Sequence, residues 1–415
     1  MLLNKFVLIP LVFATLAPAQ QDFFLKDGDT VVFYGDSITD QRLYTTFVET
    51  FAVTRYPRLH LTFVHSGWGG DRVTGGGGGP IDERLRRDVF AYNPSVMTIM
   101  LGMNDGSYRA LDDAIFTKYK RGYEHIIEAV RQALPSVRIT VIEPSPYDDV
   151  TRAPTFEGGY NQVLVKYGDF LQELSVRDHL SIADLNTPVV DALKKANAAD
   201  PKGALQIVPD RVHPQAAGHL IMAEALLKAW GATPVVTTVE IDASASQART
   251  AVGTSVTDLK VTSSRIAWTQ KDERLPMPIN FDDAVVKLAV SSSRIVDDLD
   301  EQVLKVTGLA GSGYSLAING KPLGRFSREQ LAAGINLALL PTPMMAQAAA
   351  VHALTLKRAA VHNTRWRNVQ TPFEKDPMPR VPAILDNLDA LDRDVAALQH
   401  SAAQPSTCFY ELTSE

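Results

Sequence analysis

Apolar residues are spaced in two different ways along the chain. Between Asp22 and about position 232, short runs that are apolar at nearly every position alternate with stretches of helical spacing. The runs lie at 30–34, 59–64, 96–101, 138–142 and 180–185; the helical patterns lie near 42–56, 111–134, 157–178 and 215–230. Strands apolar on both faces are buried on both, as in a parallel sheet covered by helices. Their alternation with helices predicts a doubly wound α/β domain. Ligands of such sheets sit outside the carboxyl ends of the strands, so the loops after these runs are where chemistry is expected.

Beyond residue 232 the texture changes. Residues 235–241, 256–268, 284–291, 302–307 and 314–318 read as strands, and Asn319-Gly320 is a hairpin turn signal. A small antiparallel β domain is expected over 233–326. From Ser327 the pattern turns helical, beginning with Ser327-Arg328-Glu329-Gln330, a helix cap with glutamine three residues on. Helices are expected over 342–367 and 384–400, the second with a narrow seam of Leu388, Leu391, Val395 and Leu398. This makes 327–415 a helical C-terminal extension. No long Gly/Ser linker separates it from the first domain, which favours packing over a tethered module.

Composition adds exclusions. The 415 residues are 45% hydrophobic and 21% charged, ordinary values for a globular protein. With 41 basic against 47 acidic residues the net charge is −6, so no basic excess points to a nucleic-acid partner. Cys408 is the one cysteine, which excludes an intrachain disulfide and a multi-cysteine metal site. Lys5, the short apolar stretch 6–16 and Ala17-Pro18-Ala19 together read as a signal peptide cut after Ala19. A secreted or periplasmic protein is therefore expected. The stretch is too short to span a membrane, and no later run is long enough. The pattern defines no oligomeric state.

Three segments carry candidate chemistry. Gly35-Asp36-Ser37-Ile38-Thr39-Asp40 follows the first strand. It fits a serine nucleophile and equally a helix cap. In Asp210-Arg211-Val212-His213-Pro214, the histidine could serve as base and the aspartate three residues earlier could orient it. Alone, this pair also fits a surface loop. Acyl transfer further needs hydrogen-bond donors for a developing oxyanion. Gly70, in Gly69-Gly70-Asp71, and Asn104, in Gly102-Met103-Asn104-Asp105, follow strands and fit that role, or tight turns.

Taken together, these blocks resemble the SGNH hydrolase superfamily, the GDSL esterases and lipases, over about residues 28–232. Gly35-Asp36-Ser37-Ile38 matches the first block, Gly70 the second, Asn104 the third, and Asp210 with His213 the fourth, in the family order. The resemblance implies a flavodoxin-like three-layer αβα sandwich with a five-stranded parallel sheet. Residues 20–232 would be the catalytic domain. It also implies Ser37 as nucleophile, His213 as base, Asp210 as its orienting acid, and an oxyanion hole of Ser37, Gly70 and Asn104. Two departures are visible: His65 stands where the family often has asparagine, and Ile38 replaces leucine. No G-x-S-x-G elbow is present, which separates the chain from α/β hydrolases. No H-E-x-x-H and no phosphate loop occur, so no metal or cofactor is expected.

Trp68, Tyr108 and Tyr147 follow strand ends and are candidate substrate contacts; Trp68 fits the core equally well. The glycines at 75–79 read as a loop at the pocket rim or a plain connector. The function expected is an exported serine esterase acting on a small-molecule or polysaccharide ester, with acetylated carbohydrate favoured by family analogy. A lipase or lysophospholipase is the alternative enzyme, and a non-catalytic carbohydrate-binding protein the alternative of another class.

Overall fold

The computed structural model describes residues 23–414; the expected leader and its cleavage site lie outside the described residues. Five parallel strands form the first sheet: β1 (Thr30–Gly35), β2 (Thr62–Gly67), β3 (Val96–Met100), β4 (Arg138–Ile142) and β5 (Ser181–Ala183). Their order is β2-β1-β3-β4-β5. The chain leaves β1 outward in one direction and returns to start β3 on its other side. The crevice of such a sheet opens at that reversal. Helices α1 (Leu43–Arg55), α2 (Ile81–Asp88), α3 (Asp113–Ala133), α4 (Gly159–Asp178), α5 (Thr187–Ala199) and α6 (Ala216–Ala229) complete the layers. The αβα sandwich expected from the resemblance is thus present.

The second half is built from two sheets. One runs β8 (Thr254–Val261), β9 (Arg265–Asp272), β13 (Thr407–Ser414), β11 (Gly313–Ile318) and β12 (Lys321–Ser327). The other joins Ile335–Asn336, β10 (Glu301–Thr307), β6 (Val235–Asp242) and β7 (Gln247–Val252). Trp268 and Tyr410 stack at 5.0 Å in the core of this half. The Asn319-Gly320 hairpin is there, both residues in the left-handed region at φ 50° and 76°. The Ser327 cap closes a reciprocal box with Gln330.

Several expectations change here. Residues 284–291 form a helix, α7 (Ala284–Ser292), not a strand. Asp283 caps it by accepting from the backbone N–H groups of Val285 and Val286. Burial of Val286 and Ala289 against α5 and α6 outweighs the local β preference of its valines. The 256–268 run is two strands with a turn between them. The β region is not wholly antiparallel, because β10 pairs with β6 in parallel. The extension over 327–415 ends in a strand: β13 enters between β9 and β11. Helix α8 (Pro343–Asn363) passes into a π-helical turn, Thr364–Gln370, and α9 (Val381–Ala402) packs back on α8. Leu391 and Leu398 of the expected seam face outward.

The extension covers α1. Every residue of that helix from Tyr44 to Arg55 is buried, although Thr45, Thr46, Glu49, Thr50, Thr54 and Arg55 are polar. Buried polar groups must be paired, and here the partners come largely from the second half. Glu49 accepts from Arg358 and Gln399, both at 2.9 Å, and from His65 at 3.1 Å. Arg55 donates to the carbonyls of Thr233 and Leu299, at 3.1 and 2.7 Å, and to Asp300 at 3.3 Å. His65, the departure from the family asparagine, therefore belongs to the joint between the two halves. Burial raises the Glu49 carboxyl, but Arg358 and His65 outweigh it and hold the group below its ordinary range. Such an acid contributes stability at neutral pH that is lost as pH falls through its folded value. Arg358→Ala should destabilise the protein by about 3–5 kcal/mol, because it leaves Glu49 buried without its cation. Urea denaturation at neutral pH checks this, and the difference from wild type should shrink in acid.

Candidate active site

Three strand ends are level at the crevice: Gly35 pairs with Gly67 on one side and Met100 on the other. Ser37, Gly70 and Asn104 lie two, three and four residues beyond these positions, so parallel register alone brings the three loops together. The backbone N–H of Trp68 donates to the Gly35 carbonyl at 3.0 Å and binds the first two loops. A methyl group built on Gly69 would sit 4.0 Å from the Ser37 Cβ, which sets the second loop directly beside the hydroxyl. Gly70 adopts φ +78°, a conformation side chains rarely take, with open space on its Cβ side.

The fourth segment arrives from the loop before α6. His213 Nε2 lies 2.8 Å from Ser37 Oγ, and His213 Nδ1 lies 2.6 Å from Asp210 Oδ2. The other Asp210 oxygen accepts from the backbone N–H groups of Val212 and His213, at 3.0 and 2.7 Å, which folds the loop into an Asx turn. Partial burial works against ionisation of Asp210, but these hydrogen bonds win and hold its carboxyl below the ordinary range. It is therefore an anion at neutral pH. A second histidine anchors the loop. His219 accepts from the Tyr44 N–H and donates to Gln41 Oε1, each at 3.1 Å, while Gln41 donates to the Pro214 carbonyl at 3.1 Å. Burial pushes His219 down to about 3, so it is a neutral strut.

Asn104 donates one amide hydrogen to the Asp71 carbonyl and accepts from the Tyr108 hydroxyl, both at 3.0 Å. Its orientation is set from both ends, and the second amide hydrogen remains for a ligand. Behind the loop lies a buried charge cluster. Arg84 donates to Asp71 at 2.6 Å and to the Ser66 carbonyl at 2.9 Å, and it also pairs with Asp88. Trp366, from the π-helical turn, donates its indole N–H to Asp88 at 2.5 Å. The glycine run is part of this packing. It forms a small hairpin, and a Cβ at Gly78 would come within 2.5 Å of Arg84 and 2.7 Å of Trp68.

The cleft at Ser37 is open, about 450 Å³, and lined by Ser37, Asp40, Gln41, Arg42, His213, Asn363, Arg367 and Asn368. Asn363, Arg367 and Asn368 come from the extension, so the second half supplies one wall. The three candidate contacts are placed differently. Trp68 lies beneath the Arg367 guanidinium, 3.5 Å from its carbon, and serves as a platform behind the cleft. Tyr108 is 43% exposed and sits against Tyr147 and Tyr160, with centroids at 6.1 and 5.1 Å. Tyr147 also lies under Arg211. The extension residues could not be found from local motifs. In the sequence they fall at or just past the end of the helix expected over 342–367, with no motif to mark them. Among the described residues no cluster of His, Cys, Asp and Glu could hold a metal ion.

A hydroxyl, an imidazole and a carboxylate in one hydrogen-bonded chain, at the reversal point of a doubly wound sheet, define a site of the serine-hydrolase class. Residues 33–221 match the GDSL-like Lipase/Acylhydrolase family. The chain belongs through this domain to the SGNH hydrolase superfamily and is an ester-bond hydrolase. An acetylxylan esterase of Geobacillus stearothermophilus is 27% identical over 229 residues, covering 50% of this chain and 96% of that one. A solved structure of a gut microbial diltiazem-metabolizing enzyme is 24% identical, with a TM-score of 0.83 over 95% of this chain and 100% of the other. The fold is thus shared along nearly the whole length, second half included. The structure of the Geobacillus acetylxylan esterase aligns over 50% of this chain and 96% of its own, at 21% identity and a TM-score of 0.41.

Two outcomes follow from the buried groups. Burial raises the Asp105 carboxyl from 3.8 to about 7; Oδ1 accepts from the Val73 N–H at 3.0 Å, and Oδ2 has no partner among the described residues. An acid that keeps its proton longer when folded makes stability fall as pH rises through the interval from 3.8 to about 7. Asp105→Asn should flatten that fall, read from denaturation midpoints across the interval. Trp366→Phe keeps the ring and removes the N–H to Asp88. It should cost about 2 kcal/mol of stability, as for a hydrogen bond to a charged group. Through Arg84 and Asp71 it should also loosen Asn104, lowering kcat more than it raises KM in steady-state kinetics.

Proposed function

We propose that this chain is an exported serine esterase that removes short acyl groups, chiefly acetyl, from the hydroxyls of carbohydrates. The observation that carries the reading is the Ser37–His213–Asp210 hydrogen-bonded chain in an open cleft beside Gly70 and Asn104. In this reading His213 Nε2 takes the proton of Ser37 Oγ as the oxygen attacks the ester carbonyl. The N–H groups of Ser37 and Gly70 and the Asn104 amide hold the negative charge on the carbonyl oxygen. Asp210 stabilises the imidazolium. The alcohol leaves with the proton from His213, and water then releases the acid from Ser37 by the same steps in reverse.

The acetyl and carbohydrate parts rest on two supports. One is the likeness to an acetylxylan esterase. The other is the cleft wall, whose lining residues include no aliphatic or aromatic hydrocarbon side chain to form a groove for a long acyl chain. That wall disfavours the lipase alternative, and the intact hydrogen-bonded chain disfavours a purely binding role. Export rests on the N-terminal pattern; among the described residues no helix is long and apolar enough to cross a membrane. In this reading residues 20–232 perform the chemistry, while 233–326 and 327–415 support it and close one side of the cleft.

The test is a panel of acetyl and long-chain acyl esters, with acetylated xylan and pectin beside phospholipids. Wild type should prefer acetyl esters, and Ser37→Ala should lose at least about 10³-fold in kcat. Undiminished turnover by Ser37→Ala would falsify the nucleophile assignment, and a preference for long acyl chains would favour the lipase.

A further inference from the structure

Ester cleavage as described needs no cation in the cleft, yet two arginines line it, Arg42 and Arg367, with Asp40 as the one carboxylate. The lining therefore carries excess positive charge in a chain whose net charge is −6. Structural arginines in this protein look different. Arg55 and Arg84 are wholly buried and committed to carbonyls and carboxylates. The Arg42 side chain, in contrast, makes no hydrogen bond or ion pair among the described residues.

Its backbone is held in place all the same. Arg42 has φ 57°, in the left-handed region, between the nucleophile turn and α1. Its N–H donates to the Thr39 carbonyl at 3.0 Å, and its own carbonyl accepts from the Thr46 hydroxyl at 2.6 Å. Arg367 is oriented by its stack on Trp68 at 3.5 Å. Its polar contacts are loose: one long hydrogen bond to the Gly67 carbonyl at 3.4 Å and Asp40 at 3.6 Å. Most of the five guanidinium donors are thus left for a ligand. Asn363 and Asn368 add amides from the same wall.

We propose that Arg42 and Arg367 form a subsite for a carboxylate on the alcohol half of the substrate. The preferred esters would then be acyl groups on acidic sugars, such as uronic acid units. This rests on the esterase reading and narrows its substrate. Planar, oriented guanidinium groups suit bidentate recognition of carboxylate, and the two amides suit neighbouring hydroxyls. The openness of the cleft suits a chain that extends beyond the reacting unit.

The experiment compares acetylated oligogalacturonate with its amidated counterpart, which keeps the sugar and acetyl groups but loses the charge. Wild type should show a lower KM for the acid form, and added salt should erode the difference. R42N retains a residue tolerant of the left-handed backbone. This variant and Arg367→Gln, each checked for folding by thermal melting, should each cut the acid-over-amide ratio of kcat/KM about tenfold. Unacetylated oligogalacturonate should inhibit wild type competitively, and its amide should inhibit less, which tests the subsite without any variant. Equal kcat/KM for both substrates in wild type, or a ratio preserved in both variants, overturns the subsite and leaves the esterase reading standing. Failure of wild type to cleave these substrates or a chromogenic acetate overturns both.

Discussion

The buried Arg84 guanidinium is the group on which the rest of the site depends. It carries two carboxylates in a place without solvent: Asp71, which follows Gly70, and Asp88, at the end of α2. Charges taken out of water are tolerated only when paired and hydrogen-bonded with good geometry. Despite burial, the nearby Tyr34, Asp88 and Asp71 push Arg84 further up, so it stays charged under all working conditions. The remaining oxygen of Asp88 takes the N–H of Trp366 and a contact from Arg87. Arg84 and Arg87, both from the first half, already donate to the two oxygens of this carboxylate, and the π-helical turn adds the Trp366 N–H from the second half.

That one requirement explains several features that otherwise look unrelated. Gly78 must lack a side chain, because Arg84 and Trp68 occupy the space a Cβ would need. The extension reaches the same cluster, and α8 does so by passing into a π-helical turn, a geometry often kept where function requires it. The same turn sets Arg367 over Trp68, so the residue that supports the charge cluster is next to the one that faces the cleft. The polar face of α1 follows the same logic at a second joint, through Glu49, Arg358 and Arg55.

How much of this was legible depended on distance along the chain. The five parallel strands were readable because each lies in or overlaps a short run rich in consecutive apolar residues, a local property, although β2 (Thr62–Gly67) starts three residues later than the run at 59–64. The blocks around Ser37, Gly70, Asn104 and His213 were readable because each is a short local motif, and strand register with the loop before α6 brings them to one place. The contact between Trp366 and Asp88 was not, since no local pattern records a partner so far along the sequence. Helix α7 misled for a related reason: Ala284-Val285-Val286 has strand-like composition, while its cap and its packing on α5 and α6 favour a helix. Strand β13 did carry a signal. Cys408, Tyr410 and Leu412 alternate with exposed or half-exposed neighbours, a period of two at the end of a stretch read as helical.

The position of β13 has a consequence for how the two halves work together. As an inner strand between β9 and β11, it ties the C-terminus into the sheet that follows the catalytic half. Helices α8 and α9 are therefore held at both ends: by β12 and the segment after it on one side, and by β13 on the other. The π-helical turn between them is held by contacts outside the two helices as well. Here the anchors are the second sheet, the buried pairs on α1, and Asp88. The wall of the cleft is thus tied to the core on several sides, which places the Arg367 guanidinium in the same cleft as Ser37. Discrimination among alcohols can then arise from the extension, while residues 33–221 keep the family's ester-hydrolase domain.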